Sequence, residues 1–261
     1  EWTSMSALTL LSIGINDLTG TLPPEWSQIT TLEQFHAHTN KLSGTIPSEF
    51  ASLTNLQYCF LYNNSLTGSL PTEVGGMTSL QRLSVKSNML VGTLPTELAR
   101  LTDLTLLEVN MNSFSGTLLT ELGQMTDLQL INATHNLFDG TLPTELGQLT
   151  GLWDLLVNDN YLTGTIPTEI AFMSLLQGLH IENNAFIGTV PTEFSELNNL
   201  RDFTFHGNNV TGSVNDILCL PNQPRWDTLQ SDCLEVNGET EIECQCCTIC
   251  CSGNGENCQD M

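Results

Sequence analysis

Hydrophobic and polar positions along the chain repeat with a period of 24 residues. Asn recurs at that spacing from Asn16 to Asn208, and Gly recurs four residues after each Asn, from Gly20 to Gly212. Read as a unit, the repeat is LxxLxLxxNxLxGTLPTELGxLTx, and nine copies occupy residues 1–216. A fixed period over so much of a chain is typical of a solenoid in which each copy packs only against its neighbours.

Each copy predicts a short strand just before its Asn. Leu83 and Val85 alternate with polar residues, which is the period of two expected for a strand with one buried face. Strands that recur every 24 residues are expected to stack in parallel, about 4.8 Å apart. Each position of the repeat then becomes a ladder of side chains along the solenoid, and the Leu ladders form the core.

The Asn, Gly and Pro ladders are interpreted as structural. An Asn amide that points inward from the turn after each strand satisfies buried backbone groups, which cost about 1 to 3 kcal/mol each when unpaired. Gly suits a turn with positive φ, and Pro precedes a short helical turn that opens at Thr-Glu. Cys59 stands where other copies have Leu or Phe, so we expect a free buried thiol that acts as a small hydrophobe.

These residues resemble the plant-type extracellular leucine-rich repeat proteins, whose repeat is LxxLxLxxNxLxGxIPxxLgxLxxL. The segment Asn160-Tyr161-Leu162-Thr163-Gly164-Thr165-Ile166-Pro167 and its eight relatives match that pattern over four-fifths of the chain. The resemblance implies an α/β fold: a curved right-handed solenoid with a parallel sheet on the concave side and short helical or irregular segments on the convex side. It also implies an extracellular location, secreted or at the cell surface.

Both ends depart from the plant pattern. Glu1-Trp2 is in register with Glu25-Trp26, so we expect at least one further coil or cap before Glu1. Residues 217–261 form a second region, a small acidic module that contains eight of the nine cysteines and looks like the tails of secreted diatom and algal leucine-rich repeat proteins. These are Cys219, Cys233, Cys244, Cys246, Cys247, Cys250, Cys251 and Cys258. The even count favours structural disulfides over a thiolate metal cluster, with undetermined connectivity.

The charge excludes some partners. The chain has 29 acidic and 6 basic residues, a formal net charge of −23, which argues against nucleic acid and against an anionic membrane surface. A ladder of Glu from Glu25 to Glu193 places like charges about 5 Å apart, so we expect salt or Ca²⁺ to stabilise the fold. No other cofactor is predicted.

Function is expected on strand positions that face solvent, because packing fixes the core ladders. Counting back six, four and two residues from each Asn identifies these positions, and they vary between copies. The second to fourth copies combine aromatic, imidazole and basic side chains against an acidic background, which is typical of a binding surface. This predicted ligand-binding set is His36, His38, Tyr58, Phe60, Tyr62, Arg82 and Lys86.

The sequence gives weaker evidence for other kinds of site. His36 and His38 have a spacing that suits a transition metal, but no third ligand is evident, so no metal site is predicted. No catalytic motif occurs, and we expect no enzymatic activity. Three sequons, at Asn63, Asn132 and Asn209, are candidate glycosylation sites.

We therefore expect a non-enzymatic extracellular recognition module that binds a protein, peptide or glycan on its concave face. The alternative is a structural or adhesive component of an extracellular matrix or wall, with self-association. A minor alternative is ice binding, because Thr or Ser follows every ladder Gly and TxT ranks resemble those of ice-binding proteins. Val91, Asp139 and Ile187 interrupt the outer of the two ranks.

Overall fold

The computed structural model describes residues 5, 7–220, 226–233, 242–252 and 258–260. Its main feature is a sheet of twelve strands in which each strand pairs with the next along the chain. Leu10 pairs with Gln34 and Gln34 pairs with Tyr58, so residues 24 apart are neighbours in a parallel ladder, as the sequence predicted. We number the coils from 1 to 9 by their ladder Asn, so that coil 1 contains Asn16 and coil 9 contains Asn208.

The strands of this sheet are short, and each comes just before a ladder Asn in coils 1 to 9. They are Leu10–Ser12, Gln34–His36, Tyr58–Phe60, Arg82–Ser84, Leu106–Glu108, Leu130–Asn132, Asp154–Leu156, Gly178–His180, Asp202–Thr204, Thr228–Ser231, Ile249–Cys250 and Gln259–Asp260. The last pair is antiparallel, and the others are parallel.

Smaller sheets run along the flank that follows each Asn. Their strands are Thr19–Thr21, Lys41–Gly44, Ser65–Leu66, Val91–Gly92, Ser113–Thr117, Leu137–Asp139, Thr163–Thr165, Ala185–Gly188, Asn209–Val210, Gly212–Ser213 and Ile242–Glu243.

Short 3-10 helices close the opposite side of each coil. They are Pro24–Gln28, Ser48–Ser52, Thr72–Gly76, Thr96–Arg100, Thr120–Gln124, Thr144–Gln148, Thr168–Phe172 and Thr192–Glu196, and one α-helix follows at Asn215–Leu218. A Pro, or Leu119 in coil 5, precedes each of the Ser-Glu and Thr-Glu starts, and its extended backbone sets the turn. None of the helices in the described ranges has the length and apolar character that crossing a bilayer requires.

The Asn ladder ties each coil to the one before it. The Asn64 Nδ2 atom donates to the carbonyls of Leu61 at 3.0 Å and of Ala37, in the preceding coil, at 3.0 Å. The Asn64 Oδ1 atom accepts from the backbone N–H of Leu42 at 3.0 Å. The same pattern recurs from coil 2 to coil 9. The Asn side chains thus satisfy backbone groups, as expected from sequence, and the structure shows that these groups belong to two coils.

The residue before each ladder Asn has left-handed backbone geometry, which the sequence did not reveal. Its φ lies between 52° and 56° at eight non-glycine positions, among them Ile15 and Met111, and the ninth is Gly207. Such a conformation is unfavourable for a β-branched residue. The turn that directs the Asn side chain inward requires this left-handed conformation, and the hydrogen bonds of the Asn stabilise it. The nine ladder Gly residues also have positive φ, as expected.

The core consists of the predicted Leu ladders. In coil 4, Leu83 and Val85 are buried from the strand, and Leu90 and Leu94 are buried from the flank. Cys59 is buried and unpaired, and burial raises the pKa of its thiol to about 12, so it stays protonated and packs as an apolar group.

The C-terminal segment continues the sheet. Strand Thr228–Ser231 pairs in parallel with Asp202–Thr204, and Trp226 packs beside it while donating from Nε1 to the Leu218 carbonyl at 3.1 Å. The eight cysteines of this segment form four disulfides. The pairs are Cys219–Cys246, Cys233–Cys250, Cys244–Cys247 and Cys251–Cys258.

The Asn ladder generates a stability prediction with an internal control. Asn112→Ala removes the acceptor of the Leu90 N–H and the donor to the Val85 and Val109 carbonyls. We expect a loss of about 2 to 4 kcal/mol in the free energy of unfolding, measured by urea denaturation, because several buried groups lose their partner. Asn110→Ala, on the solvent face two residues earlier, is expected to cost under about 0.5 kcal/mol. Equal losses for the two variants would refute the structural interpretation of the ladder.

Candidate ligand-binding face

The seven predicted side chains lie together on the concave face of coils 2 to 4. They occupy the positions six, four and two residues before each Asn, which alternate with the buried positions five and three residues before it. We call this group, which consists of His36, His38, Tyr58, Phe60, Tyr62, Arg82 and Lys86, the aromatic-cationic patch. Arg82 is exposed and the other six are half-buried.

Rings in neighbouring coils stack on one another. His38 and Tyr62 stack with centroids 4.4 Å apart and planes 10° from parallel. On its other side the His38 ring covers Gly14, where an added Cβ would lie 2.9 Å from His38 Nε2. In the next column His36 stacks on Phe60 at 5.0 Å. The distance between adjacent strands is close to the distance at which aromatic rings stack. The solenoid itself therefore imposes this arrangement.

Two cations cover the end of the stack. The Lys86 ammonium lies 5.2 Å from the Tyr62 ring centroid, and the Arg82 guanidinium lies 5.6 Å from that of Tyr58. Lys86 also pairs with Glu108 at 2.8 Å, and the Ser84 hydroxyl donates to the same carboxylate at 2.8 Å. Glu108 was outside the predicted set. It follows Ser84 in the column next to that of Lys86, one coil further on, so counting positions in the repeat could have identified it as a partner of Lys86.

Arg82 differs from Lys86 in having no carboxylate partner. The ion pairs among the described residues are Lys41–Asp17, Lys86–Glu108 and His135–Asp159, and none involves Arg82. Its guanidinium is therefore the free cation of the patch, exposed beside a phenol ring. A planar fork of N–H donors in that position suits a carboxylate or another anionic group.

The far end of the same face is acidic. The Asp154 carboxylate leans over Gly178 in the following coil, so that a Cβ there would lie within 2.5 Å of its Oδ1 atom, and the charge of Asp202, one coil further on, also acts on it. Burial raises the pKa of Asp154, His180 opposes that change, and Asp202 adds to it. Burial also raises the pKa of Glu182. We call Asp154, Glu182 and Asp202 the acidic end.

One hydroxyl at this end contacts both an imidazole and a carboxylate. Thr204 Oγ1 lies 2.9 Å from His180 Nδ1 and donates to Glu182. In a catalytic triad the imidazole stands between hydroxyl and carboxylate, whereas here the hydroxyl stands between the other two and is buried. The contact orders the face, and its geometry differs from that of an activated nucleophile.

The remaining predicted sites are dispersed. His36 and His38 have centroids 6.4 Å apart, and neither belongs to a group of three metal-binding side chains within the described parts of the chain. Among the sequon residues, Asn63 and Asn209 are exposed, and Asn132 is half-buried on the concave face, where its Oδ1 accepts from the Thr134 N–H at 3.1 Å.

Comparison with known proteins supports the same fold. A Leucine Rich Repeat family model matches residues 55–77. No protein with a curated description matches the chain. The structure is similar to the leucine-rich repeat ectodomain of the plant receptor kinase GASSHO1/SCHENGEN3 from Arabidopsis thaliana, solved with CASPARIAN STRIP INTEGRITY FACTOR 2, with 32% identity and a TM-score of 0.82. The match covers 88% of this chain and 28% of that one.

Two further structures are informative. The Arabidopsis receptor kinase HAESA, solved with the peptide hormone IDA and the co-receptor SERK1, is 30% identical with a TM-score of 0.77, over 82% of this chain and 36% of that one. A plant ice-binding protein is 24% identical with a TM-score of 0.67, over 78% and 74%. The chain thus spans about a third of the receptor ectodomains that it matches. Its fold is a leucine-rich repeat solenoid, as predicted.

The stacked histidines generate a pH prediction. Burial lowers the pKa of His36 and of His38 below the ordinary value of about 6.5, and for His36 the neighbouring His38 lowers it further. The folded state therefore binds fewer protons than the unfolded state, and stability is expected to fall as pH drops through about 6.5. NMR titration should give midpoints below 6.5 for both rings, and midpoints at or above 6.5 would contradict the stacked arrangement.

Proposed function

We propose that this chain is a non-enzymatic extracellular recognition module whose concave face binds an extended peptide segment. The observation that carries the proposal is the aromatic-cationic patch, in which the Arg82 guanidinium lies beside the stacked rings and has no carboxylate partner among the described residues. Aromatic and arginine side chains that become buried on binding are the usual energetic centre of an interface.

The direction of stacking favours a peptide over a glycan. His38 covers one side of the Tyr62 ring and the Lys86 ammonium covers the other. Sugars bind aromatic residues through ring faces, and here neighbouring side chains cover both faces of Tyr62, one face of Phe60 and one face of Tyr58. What remains for a ligand is ring edges, a phenol hydroxyl, imidazole nitrogen atoms and guanidinium N–H groups, which suit the carbonyls and carboxylates of a peptide.

The charge pattern suggests how such a peptide lies. Arg82 is in coil 4 and Asp154 is in coil 7, which places them roughly 14 Å apart at about 4.8 Å per coil. Between them the same column contains Leu106 and Leu130, both half-buried. An extended peptide rises about 3.3 Å per residue. We infer a ligand with an anionic group at Arg82, an apolar middle and a basic group about four or five residues away, at the acidic end.

The structural relatives support this proposal. The HAESA ectodomain was solved with a peptide hormone and a co-receptor, so a similar solenoid can present a peptide-binding surface. Four disulfides in the C-terminal segment fit an oxidising, extracellular compartment. We propose glycosylation at Asn63 and Asn209, which are exposed, whereas a glycan on Asn132 would obstruct the middle of the face.

A peptide library screen tests the proposal. For the best-binding peptide, Arg82→Ala and Tyr62→Ala are each expected to weaken binding by about 2 kcal/mol, roughly thirtyfold, measured by calorimetry. Arg100→Ala, on an exposed 3-10 helix outside the concave face, is the matched control and is expected to leave Kd unchanged.

Three outcomes would overturn it. Equal effects of Arg82→Ala and Arg100→Ala would place binding elsewhere. Binding to a glycan array that is lost in the Tyr62→Ala variant would show that the ligand is a sugar and not a peptide. Self-association driven by Ca²⁺, without a saturable partner, would support the structural or adhesive alternative.

A second function, ice binding, is favoured by one observation on the flank. All nine Thr and Ser residues that follow a ladder Gly are exposed. Five of the threonines place their Cγ2 methyl 2.7 to 2.9 Å from the site that a Cβ on the next coil's Gly would occupy. The methyl groups therefore sit in identical notches and leave a regular row of hydroxyls. The outer rank remains broken by Val91, Asp139 and Ile187, which are exposed.

This second function makes its own prediction. The chain would inhibit ice recrystallisation, and Thr141→Tyr, in the middle of the row, would abolish the effect because a bulky side chain disrupts the regular surface. Thr144→Tyr, on an exposed helical turn, is the control and should retain it. Absence of any inhibition by the unaltered chain at high micromolar concentration would eliminate the function.

A further inference from the structure

We propose that reduction of the Cys251–Cys258 disulfide opens a zinc site, formed by the two thiolates and the imidazole of His206, where the C-terminal segment meets the concave sheet. It is independent of the proposed peptide binding. It concerns residues that converge at coil 9 from three separate parts of the chain.

The three candidate ligands are already close. Cys251 Sγ, Cys258 Sγ and an imidazole nitrogen of His206 all lie within 4.8 Å of one another. Ligand atoms bonded to one zinc ion at about 2.0 to 2.3 Å are never more than about 4.6 Å apart. Binding therefore requires only small side-chain movements from the observed positions.

The Gln230 amide marks the point at which the three groups converge. Its Nε2 atom lies 3.4 Å from His206 Nε2, 3.0 Å from Cys251 Sγ and 3.3 Å from Cys258 Sγ. One amide group, a hydrogen-bond donor, thus faces three atoms that carry lone pairs. A metal cation requires the same convergence of lone pairs. A zinc ion at this point replaces the amide hydrogens, and the Gln230 carbonyl oxygen or a water molecule completes a four-coordinate site.

His206 is built into this site. It is only 8% exposed, and its Nδ1 atom has no hydrogen-bond partner. Because the Gln230 amide nitrogen is a donor, the Nε2 atom of His206 must be an acceptor, and the proton of the neutral ring lies on Nδ1. The lone pair that a metal needs is therefore already directed at Gln230 and the two sulfur atoms.

The chemistry balances with a dithiol reductant. The dithiol gives two electrons and two protons to the Cys251–Cys258 bond, its own sulfurs become a disulfide, and two thiols form on the chain. Zinc then displaces the two thiol protons, since thiolates are the metal ligands. In the oxidised chain the sulfurs are bonded to each other and bind no metal. Zinc thus replaces the disulfide as the link between Cys251 and Cys258.

Cobalt(II) is the spectroscopic probe for the test. We expect the reduced chain, folded by circular dichroism, to bind Co²⁺ with a thiolate-to-metal charge-transfer band that Zn²⁺ displaces, and the oxidised chain to show no such band. His206→Gln should lose one equivalent of bound Co²⁺. His180→Gln, one coil away on the same face, is the matched control and should lose none.

A second variant covers the case in which full reduction unfolds the C-terminal segment. Cys251→His with Cys258→His places three imidazoles at the same point under oxidising conditions, with the other three disulfides intact. We expect it to bind one Zn²⁺ by calorimetry, and adding His206→Gln should weaken binding at least tenfold. Unchanged Co²⁺ stoichiometry in His206→Gln would overturn the proposal, because other thiols would then hold the metal. So would failure of the double-His variant to bind zinc.

Discussion

The structure depends on the hydrogen bonds of the ladder asparagines. Each amide donates to carbonyls of its own coil and of the preceding coil, and its oxygen accepts from a backbone N–H of the preceding coil. These bonds leave no freedom of register, because a slip by one residue would strand several buried groups at each coil. They also hold residues such as Ile15 and Met111 in a left-handed conformation that those side chains disfavour. The backbone preference of these residues is overridden by the Asn hydrogen bonds that repeat along the solenoid.

Because the register is fixed, the residues that vary between copies line up in columns on the concave surface. At a spacing of about 4.8 Å, a side chain on the concave face contacts its counterparts 24 residues away more closely than most of its neighbours in sequence. Wide rings in adjacent coils must stack, as His38 and Tyr62 do, and a charge is neutralised by the next coil, as Lys86 is by Glu108. Where the neighbour is glycine, the side chain leans across it, as Asp154 does over Gly178. Among the residues that the structure describes, Arg82 has no such carboxylate partner.

Much of this was predictable because it depends on period alone. The parallel sheet, the roles of the Asn and Gly ladders, the buried thiol of Cys59 and the grouping of the patch residues on one face all follow from counting positions. The left-handed residue before each Asn was not predicted: Asn63, Asp159, Asn183 and Gly207 are residue types that tolerate this conformation, but Ile15, Thr39, Ser87 and Met111 in the same row are not. Disulfide connectivity was also out of reach, since eight cysteines in a segment without a repeat allow many pairings. The contact of Thr204 with His180 and Glu182 requires side-chain geometry as well as register.

The C-terminal segment shows where the period stops and what replaces it. Thr228 pairs with Asp202, so the tenth strand joins the sheet with two residues more than the repeat supplies. Asp232, which lies 24 residues after Asn208, therefore misses the place of a tenth ladder Asn and instead accepts from the Gly207 N–H through its side chain. In this register Gln230 is the counterpart of Thr204, and its side chain contacts His206 and both sulfurs of the Cys251–Cys258 disulfide. At this end of the concave face the polar side chains therefore contact the sulfur atoms of Cys251 and Cys258. A change in the oxidation state of these two cysteines would directly affect how the C-terminal segment packs on the last coil.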